Sequence, residues 1–289
     1  MLKFNPQFFS GLNLMSILKK VLILSSGLFL LQQAHAHAPY VAPLNFQTYN
    51  LNTSIIAGFY DNPFASEVAL KNFKFIKITP DGTKSDIADQ EWAQTQTLSQ
   101  YSLDNKVDGT YRIRGVREGK ETRYAKIGQQ WKLIVASNPT QDPLPDHVIL
   151  EKDLPKKATI KTVKTTDIVE TFVSRKSLSE PAVKAQQAGF NVEFSTHPNQ
   201  FKTKQNIQLK VTNQGQAVAN AKVEILAQTT NFSHESTVQS LKTDQNGMLT
   251  FQIDKANQYL MIIEDQESFD LKKNELNRYR YTLSFNVGE

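Results

Sequence analysis

The sequence predicts an all-β protein of two sandwich domains, Ig-like or transthyretin-like, behind a cleaved signal peptide. Three observations predict it. Short segments alternate apolar and polar residues with a period of two. Turn signals such as Pro80-Asp81-Gly82, Asp108-Gly109 and Asn213-Gln214-Gly215 separate them. One apolar run lies near the N-terminus, and no later segment approaches the eighteen or so apolar residues of a membrane span.

The leader comes first. Lys19-Lys20 precede an eleven-residue hydrophobic run, Val21 to Leu31, and Gln32-Gln33-Ala34-His35-Ala36 follow it. Basic, apolar and small-residue regions in that order form the pattern of a secretory signal peptide. Met15 gives this leader a conventional length and is the expected start. Two Ala-x-Ala frames exist, and the second would put Pro39 directly after the cut. Proline fixes φ and lacks an N–H, so the first frame is favoured and His37 becomes the mature N-terminus. Export to the periplasm is the expected localisation.

Strand candidates then run through the chain: Thr53–Tyr60, Asn72–Ile78, Gly109–Arg114, Arg123–Ile127 and Trp131–Val135. Asn138 to Pro145 is too proline-rich for regular structure. Lys156 to Val173 is rich in β-branched residues. Ser177 to Gly189 is small and polar, and the domain junction is expected there. The expected divisions are 1–36 (leader with an upstream extension), 37–187 (first sandwich with linker) and 188–289 (second sandwich). The second half supplies Phe190–Phe194, Ile207–Thr212, Ala221–Leu226, a turn entering a strand over Thr243–Phe251, Tyr259–Ile263 and Tyr281–Val287. The one weak helix candidate is Ser85 to Trp92.

Composition narrows the function. With 39% hydrophobic residues in 289 the chain folds as a globular protein, and the absence of cysteine excludes disulfides, thiolate metal sites and thiol nucleophiles. Three lysines and no acidic residue precede Ala36, so removing the leader takes the charge from +5 to +2. That balance carries no footprint for nucleic acid. No nucleophile elbow, P-loop or dinucleotide fingerprint is present, so the chain is not expected to be an enzyme.

Several stretches together resemble the NikM-like family of exported proteins. They are Ala34-His35-Ala36 with His37-Ala38-Pro39-Tyr40-Val41-Ala42-Pro43, then Tyr60-Asp61-Asn62-Pro63-Phe64, Asp108 to Ile113, Glu170 to Arg175, Phe190 to Glu193 with Thr196-His197-Pro198-Asn199, Gly215 to Val223, and Tyr281 to Phe285. The resemblance implies a periplasmic component of a nickel or cobalt uptake system. It also implies a membrane permease or outer-membrane receptor as partner. One feature departs from the family pattern: the acidic residue expected after the first histidine is absent from Tyr40-Val41-Ala42-Pro43.

His37 is the sharpest candidate site. A terminal histidine offers its α-amine and imidazole Nδ1 to one ion, and imidazole suits nickel, cobalt, copper and zinc. His197 is a weaker candidate, in Thr-His-Pro-Asn, where an ordered loop entering a strand is the plainer expectation. His147 and His234 read as loop and hairpin residues; Val238 breaks the His-Glu-x-x-His pattern. Asp61 can lend a carboxylate but reads as a turn cap. Asp244, Asn246 and Gly247 read as turn chemistry. Two alternatives stand beside the metal carrier: an interaction module that binds no metal, and a copper enzyme in which His37 and a second histidine form a brace.

Overall fold

The computed structural model describes residues 38–136, 144–229, 236–266 and 275–289. The strands, in chain order, are β1 (Ala38–Pro43), β2 (Gln47–Thr48), β3 (Asn52–Tyr60), β4 (Ser66–Ala69), β5 (Lys74–Ile78), β6 (Lys84–Ile87), β7 (Trp92–Gln94), β8 (Ser99–Asp104), β9 (Gly109–Ile127) and β10 (Gln130–Val135). They continue with β11 (Val148–Leu150), β12 (Thr159–Arg175), β13 (Phe190–Phe194), β14 (Ile207–Asn213), β15 (Gln216–Ala217), β16 (Lys222–Ala227), β17 (Thr237–Lys242), β18 (Met248–Phe251), β19 (Asn257–Gln266) and β20 (Glu275–Val287). One short α-helix, α1 (Pro181–Lys184), precedes β13, and its proline sits in the first turn, where a missing N–H costs nothing.

Three sheets result. A central sheet runs β11-β10-β9-β12-β20-β19-β16-β17, with β2 added to β12 and the β5–β6 pair added to β9. A second sheet runs β1-β3-β8-β7 with β4 on β3. A third runs β13-β14-β15 with β18 on β14.

Strand β12 shows how the layers stack. Side chains alternate across a strand. Ile168 and Phe172 belong to the core formed with β13, β14 and β18, whereas Val169 and Val173 belong to the core formed with β3, β7 and β8. The two cores therefore lie on opposite faces of one sheet. A smaller third cluster joins Ala38, Tyr40, Ala42 and Tyr60 to Leu226, Leu260 and Ile262. The architecture is all-β and sandwich-like, as expected. The sandwiches nevertheless share their middle layer, and residues 37–289 form one compact unit. The expected boundary at residues 187 and 188 falls between α1 and β13. The β12–β20 pairing, parallel from Thr162 opposite Glu275 to Thr171 opposite Ser284, joins the two halves in one sheet.

Two sequence expectations change. Gly109–Arg114 and Arg123–Ile127 are parts of one nineteen-residue strand, β9. Its middle passes very close to its neighbours on both sides: a Cβ on Gly119 would lie 2.0 Å from the Thr165 carbonyl oxygen of β12, and one on Gly115 would lie 2.4 Å from the Phe75 ring of β5. Only glycine fits those two places. The helix expected over Ser85 to Trp92 is instead β6, a 3₁₀ turn at Asp89–Glu91 and β7. Ile87 pairs with Phe75, and the Glu91 carboxylate accepts from the Ala88 N–H at 2.8 Å, which turns the chain between two strands. No helix among the described residues is long and apolar enough to cross a membrane.

Candidate functional site

The expected site begins at the first described strand. His37 itself lies outside the described residues. Ala38, which follows it, is fully buried and pairs with Tyr60, and every residue of β1 is buried. The strand has few polar side chains to solvate, and Ser284 Oγ donates to the Val41 carbonyl at 2.6 Å, tying β1 to the central sheet. Ala38 is thus held at a fixed point.

That point is aromatic. The Tyr40 ring meets Tyr60 edge-on at 5.6 Å and Phe64 at 5.9 Å. The Tyr40 hydroxyl donates to the Phe64 carbonyl at 3.1 Å, and Phe64 holds a left-handed φ of 67°. Burial pushes the Tyr40 phenol up to about 12, with Ser66 opposing it. Burial raises Tyr60 further, with Arg280 opposing and Glu224 and Tyr40 adding to it. Both remain neutral phenols at physiological pH. The Tyr60 hydroxyl is buried and has no hydrogen-bond partner. Asp61, next in the chain after Tyr60, is exposed.

His197 is placed differently from the expectation. It is buried at 4% exposure. Asn199 N donates to Nδ1 at 3.1 Å, so Nδ1 carries no proton. Nε2–H then donates to Thr110 Oγ1 at 3.0 Å. Thr110 also accepts from the Ser179 N–H at 3.1 Å, so its own proton goes to Ser174 Oγ at 2.9 Å. Asn199 Nδ2 donates to the same Ser174 oxygen at 2.8 Å and to the Phe46 carbonyl at 3.1 Å. Burial pushes the imidazole below its ordinary value, partly offset by Glu180 and Ser179. Both ring nitrogens are engaged in one proton order, so His197 locks β9, β12 and the loops together and offers no nitrogen to an ion.

His147 is exposed in the turn before β11, at the far edge of the central sheet from β19. His234 lies outside the described residues. The carboxylate of Asp244 accepts from the N–H groups of Asn246 and Met248 at 2.8 Å each, which is turn chemistry, as expected. Among the described residues no three His, Cys, Asp or Glu side chains converge as a metal-holding group.

Sequence reasoning missed the strongest electrostatic feature. Glu170 is fully buried between two arginines. Arg112 Nη2 donates to its Oε2 at 2.9 Å and Arg114 Nη1 to the same oxygen at 2.7 Å. The Tyr281 hydroxyl donates to Oε1 at 2.9 Å. Burial works to raise the Glu170 carboxyl, but the two guanidiniums override it and hold it below its ordinary value. The arginines reach onward: Arg112 to the Ala185 carbonyl at 2.8 Å and the Asn191 amide oxygen at 3.3 Å, Arg114 to the Phe190 carbonyl at 2.6 Å. The signal was present in Arg112-Ile113-Arg114 and Val169-Glu170, where charges occupy strand positions whose neighbours are core.

A sandwich protein with a shared central layer, a buried charge lock and a buried N-terminal strand is the class that fold and site define. The chain belongs to the DUF4198 family, a domain of unknown function whose model matches residues 34–266. No curated protein matches it. Among solved structures it is similar to the D0-D1 domain of intimin, at 11% identity over 86% of this chain and 99% of that one, with a TM-score of 0.21. It is also similar to the FN1-FN3 domains of chicken CNTN1, at 9% identity over 87% and 68% with a TM-score of 0.23. A marsupial T cell receptor is similar at 8% identity over 86% and 72%, with a TM-score of 0.22. Likeness at that level carries no functional meaning.

Proposed function

We propose that this chain is an exported periplasmic accessory protein that binds a transition metal of the nickel or cobalt type through its mature N-terminus. It presents the ion to an uptake system. The reading rests on the Ala-His-Ala-His stretch, on the NikM-like resemblance of the mature chain, and on one structural observation that carries it. Ala38, the residue after His37, is fully buried and paired with Tyr60, so the strand that would follow a mature terminus at His37 is itself anchored. The α-amine and imidazole Nδ1 of His37 close a chelate ring on one ion. Asp61, beside the register partner of Ala38, is the nearest carboxylate in sequence terms to complete the set.

The test is calorimetry with nickel, cobalt, copper and zinc on protein whose N-terminus has been sequenced as His37. Binding tighter than about 10 μM supports the reading. One extra residue ahead of His37 removes the free amine and weakens binding as much as His37→Ala does. Equal affinity for the extended and native forms sinks the model, as does a mature start elsewhere.

A specific observation favours the interaction module as second reading. Tyr49, Leu51, Val107 and Leu178 are exposed at 81%, 51%, 60% and 37% on three adjacent loops. Asn105 N bonds the Leu51 carbonyl at 2.9 Å and Lys176 N bonds the Thr48 carbonyl at 3.0 Å, so the loops are tied to one another. The copper brace has less support: His197 is spent, and His147 sits at the opposite edge of the sheet.

A further inference from the structure

We propose that one face of the arm formed by β10, β11 and the adjoining ends of β9 and β12 docks on an anionic lipid bilayer. The proposal does not rest on the N-terminal metal reading. The arm is the part of the central sheet that runs past the cores. Tyr124, Trp131, Leu133 and Val148 lie in it, and none of them joins any of the three core clusters. All four are partly exposed.

The register puts these four side chains on one face. Tyr124 lies opposite Leu133, and Leu133 lies opposite Val148. Trp131 precedes Leu133 by two residues, so alternation returns it to the same side. Lys126, the register partner of Trp131, and Lys161, the register partner of Tyr124, belong there too. The Lys161 ammonium lies 5.6 Å from the centre of the Trp131 ring, as a shared face requires.

The other face has its own cover. β11 and β12 run in the same direction with β10 and β9 between them, so residues 151–158 cross those two strands on one side. The Arg123 guanidinium donates to the Glu151 carboxylate at 2.6 Å, which puts the crossing on the side of Arg123 and Ala125. Ala125 is fully buried there. The chief packing partners of β10 are its sheet neighbours β9 and β11, so none of the described strands or helices is laid across the Trp131 side.

Charge selects the occupant. Residues 119–164 contain nine lysines and arginines against five acidic residues, an excess of four, whereas the whole chain after Ala36 carries +2. The arm is the basic part of a molecule whose remainder is net acidic. A symmetric pair of copies meeting through this face would set one basic arm against another, which is unfavourable. An anionic surface is the complement. At a bilayer, Trp and Tyr settle at the level of the headgroups, aliphatic side chains enter the acyl boundary, and lysine stems lie along apolar surface while their ammonium groups reach the phosphates. Trp131, Tyr124, Leu133 and Val148 beside Lys126 supply all three parts.

The experiment floats the mature chain with vesicles of phosphatidylglycerol and phosphatidylethanolamine, and in a parallel run with phosphatidylcholine vesicles, while tryptophan emission is recorded. Trp131 is one of two tryptophans, and Trp92 is already buried in a core, so a blue shift on binding reports Trp131. The expected result is binding to the anionic vesicles at least about tenfold tighter than to phosphatidylcholine, weakened by added salt, with a blue shift that Trp131→Phe removes. Lys126→Glu and Lys132→Glu make the same charge change on neighbouring strands but on opposite faces, since Lys132 pairs with Ala125. Lys126→Glu should weaken vesicle binding by at least about tenfold and Lys132→Glu by less than about threefold at physiological salt. Unfolding midpoints are measured for both, and the salt dependence and the Trp131→Phe comparison decide where a variant loses stability. The proposal is overturned if the anionic vesicles neither bind nor shift the emission, if phosphatidylcholine binds as well, or if the two lysine variants weaken binding equally. It is equally overturned if soluble polyglutamate binds as tightly as the vesicles, which would make the occupant an acidic protein. A dimer in solution that Trp131→Ser dissociates would also overturn it, since a second copy would then hold the face.

Discussion

Two carboxylates three residues apart on β12 hold two arginines each, on opposite faces of the central sheet. Glu170 faces the core shared with β13 and β14; its side chain and those of Arg112 and Arg114 are exposed at 0%, 1% and 3%. Asp167 faces the other way. Arg117 Nη2 lies 2.5 Å from its Oδ2 and Arg280 Nη2 lies 2.7 Å from its Oδ1, with those arginines exposed at 27% and 18%. The stoichiometry is the same and the surroundings differ. Arg117 also lies over the Phe59 and Phe73 rings at 4.9 and 5.0 Å, so its charge is partly met by aromatic faces and partly by water. Arg112 and Arg114 also lie over rings, Phe172 at 5.5 Å and Tyr281 at 6.0 Å, but almost no water reaches them, and their charge is met by Glu170 and by fixed carbonyls. The difference teaches that the dry cluster acts as a lock and the wet one as a hinge pin with some tolerance.

The largest effect is expected at the lock. Glu170→Gln leaves two buried guanidiniums without their counter-charge and should cost about 3–5 kcal/mol in urea unfolding. Because its folded value is lowered, the stability Glu170 contributes is present above its ordinary value of 4.5 and is lost as pH falls through the lowered folded value. Next comes the close crossing of β9 on β12. Gly119→Ala should destabilise by about 1–3 kcal/mol, because the added carbon meets the Thr165 carbonyl. Asp167→Asn should cost about 1–2 kcal/mol, since Arg117 and Arg280 can turn to solvent. A larger loss from Asp167→Asn than from Glu170→Gln would break the comparison.

A smaller effect tests the histidine. The His197 pKa is lowered on folding, so its contribution is fully present above its ordinary value of 6.5 and declines as pH falls from there toward the folded value. Unfolding midpoints measured from pH 7.5 to 5 should fall, and His197→Asn should flatten that slope. The smallest change is expected at Arg123 and Glu151, an exposed pair at 2.6 Å, where Arg123→Ala should cost about 0–1 kcal/mol.

The strands were legible because alternation is local. Phe75, Ile113, Leu209 and Ile225 all fall where the period of two puts them. The continuity of β9 was not, because Arg117 to Arg123 reads as a polar turn until β12 is laid beside it. The shared central layer was not legible either. Parallel pairing of Thr162–Thr171 with 275–284 joins segments about a hundred residues apart, and no local pattern encodes which distant strand will be the neighbour. At the candidate site, the Pro-Asn context of His197 pointed to an ordered loop, while its proton order needed Thr110 and Ser174. Glu170 was hidden because a charge within an apolar run looks like a solvated face until both faces are seen to be covered.

The position of β20 has a consequence for how the molecule comes into being. The last thirteen-residue strand does not close an edge; it slots between β12 and β19 in the middle of the sheet. Until β20 is in place, β12 presents a long unsatisfied edge, and the core formed with β13, β14 and β18, which takes Tyr281, Leu283, Phe285 and Val287 from β20, cannot be completed. Completion of that core therefore waits for β20, and the contacts that wait are long-range and slow to form. The core on the other face of the sheet takes no residue from β20, so a chain of this design can assemble one side of its central sheet while the other side still waits for its partner strand.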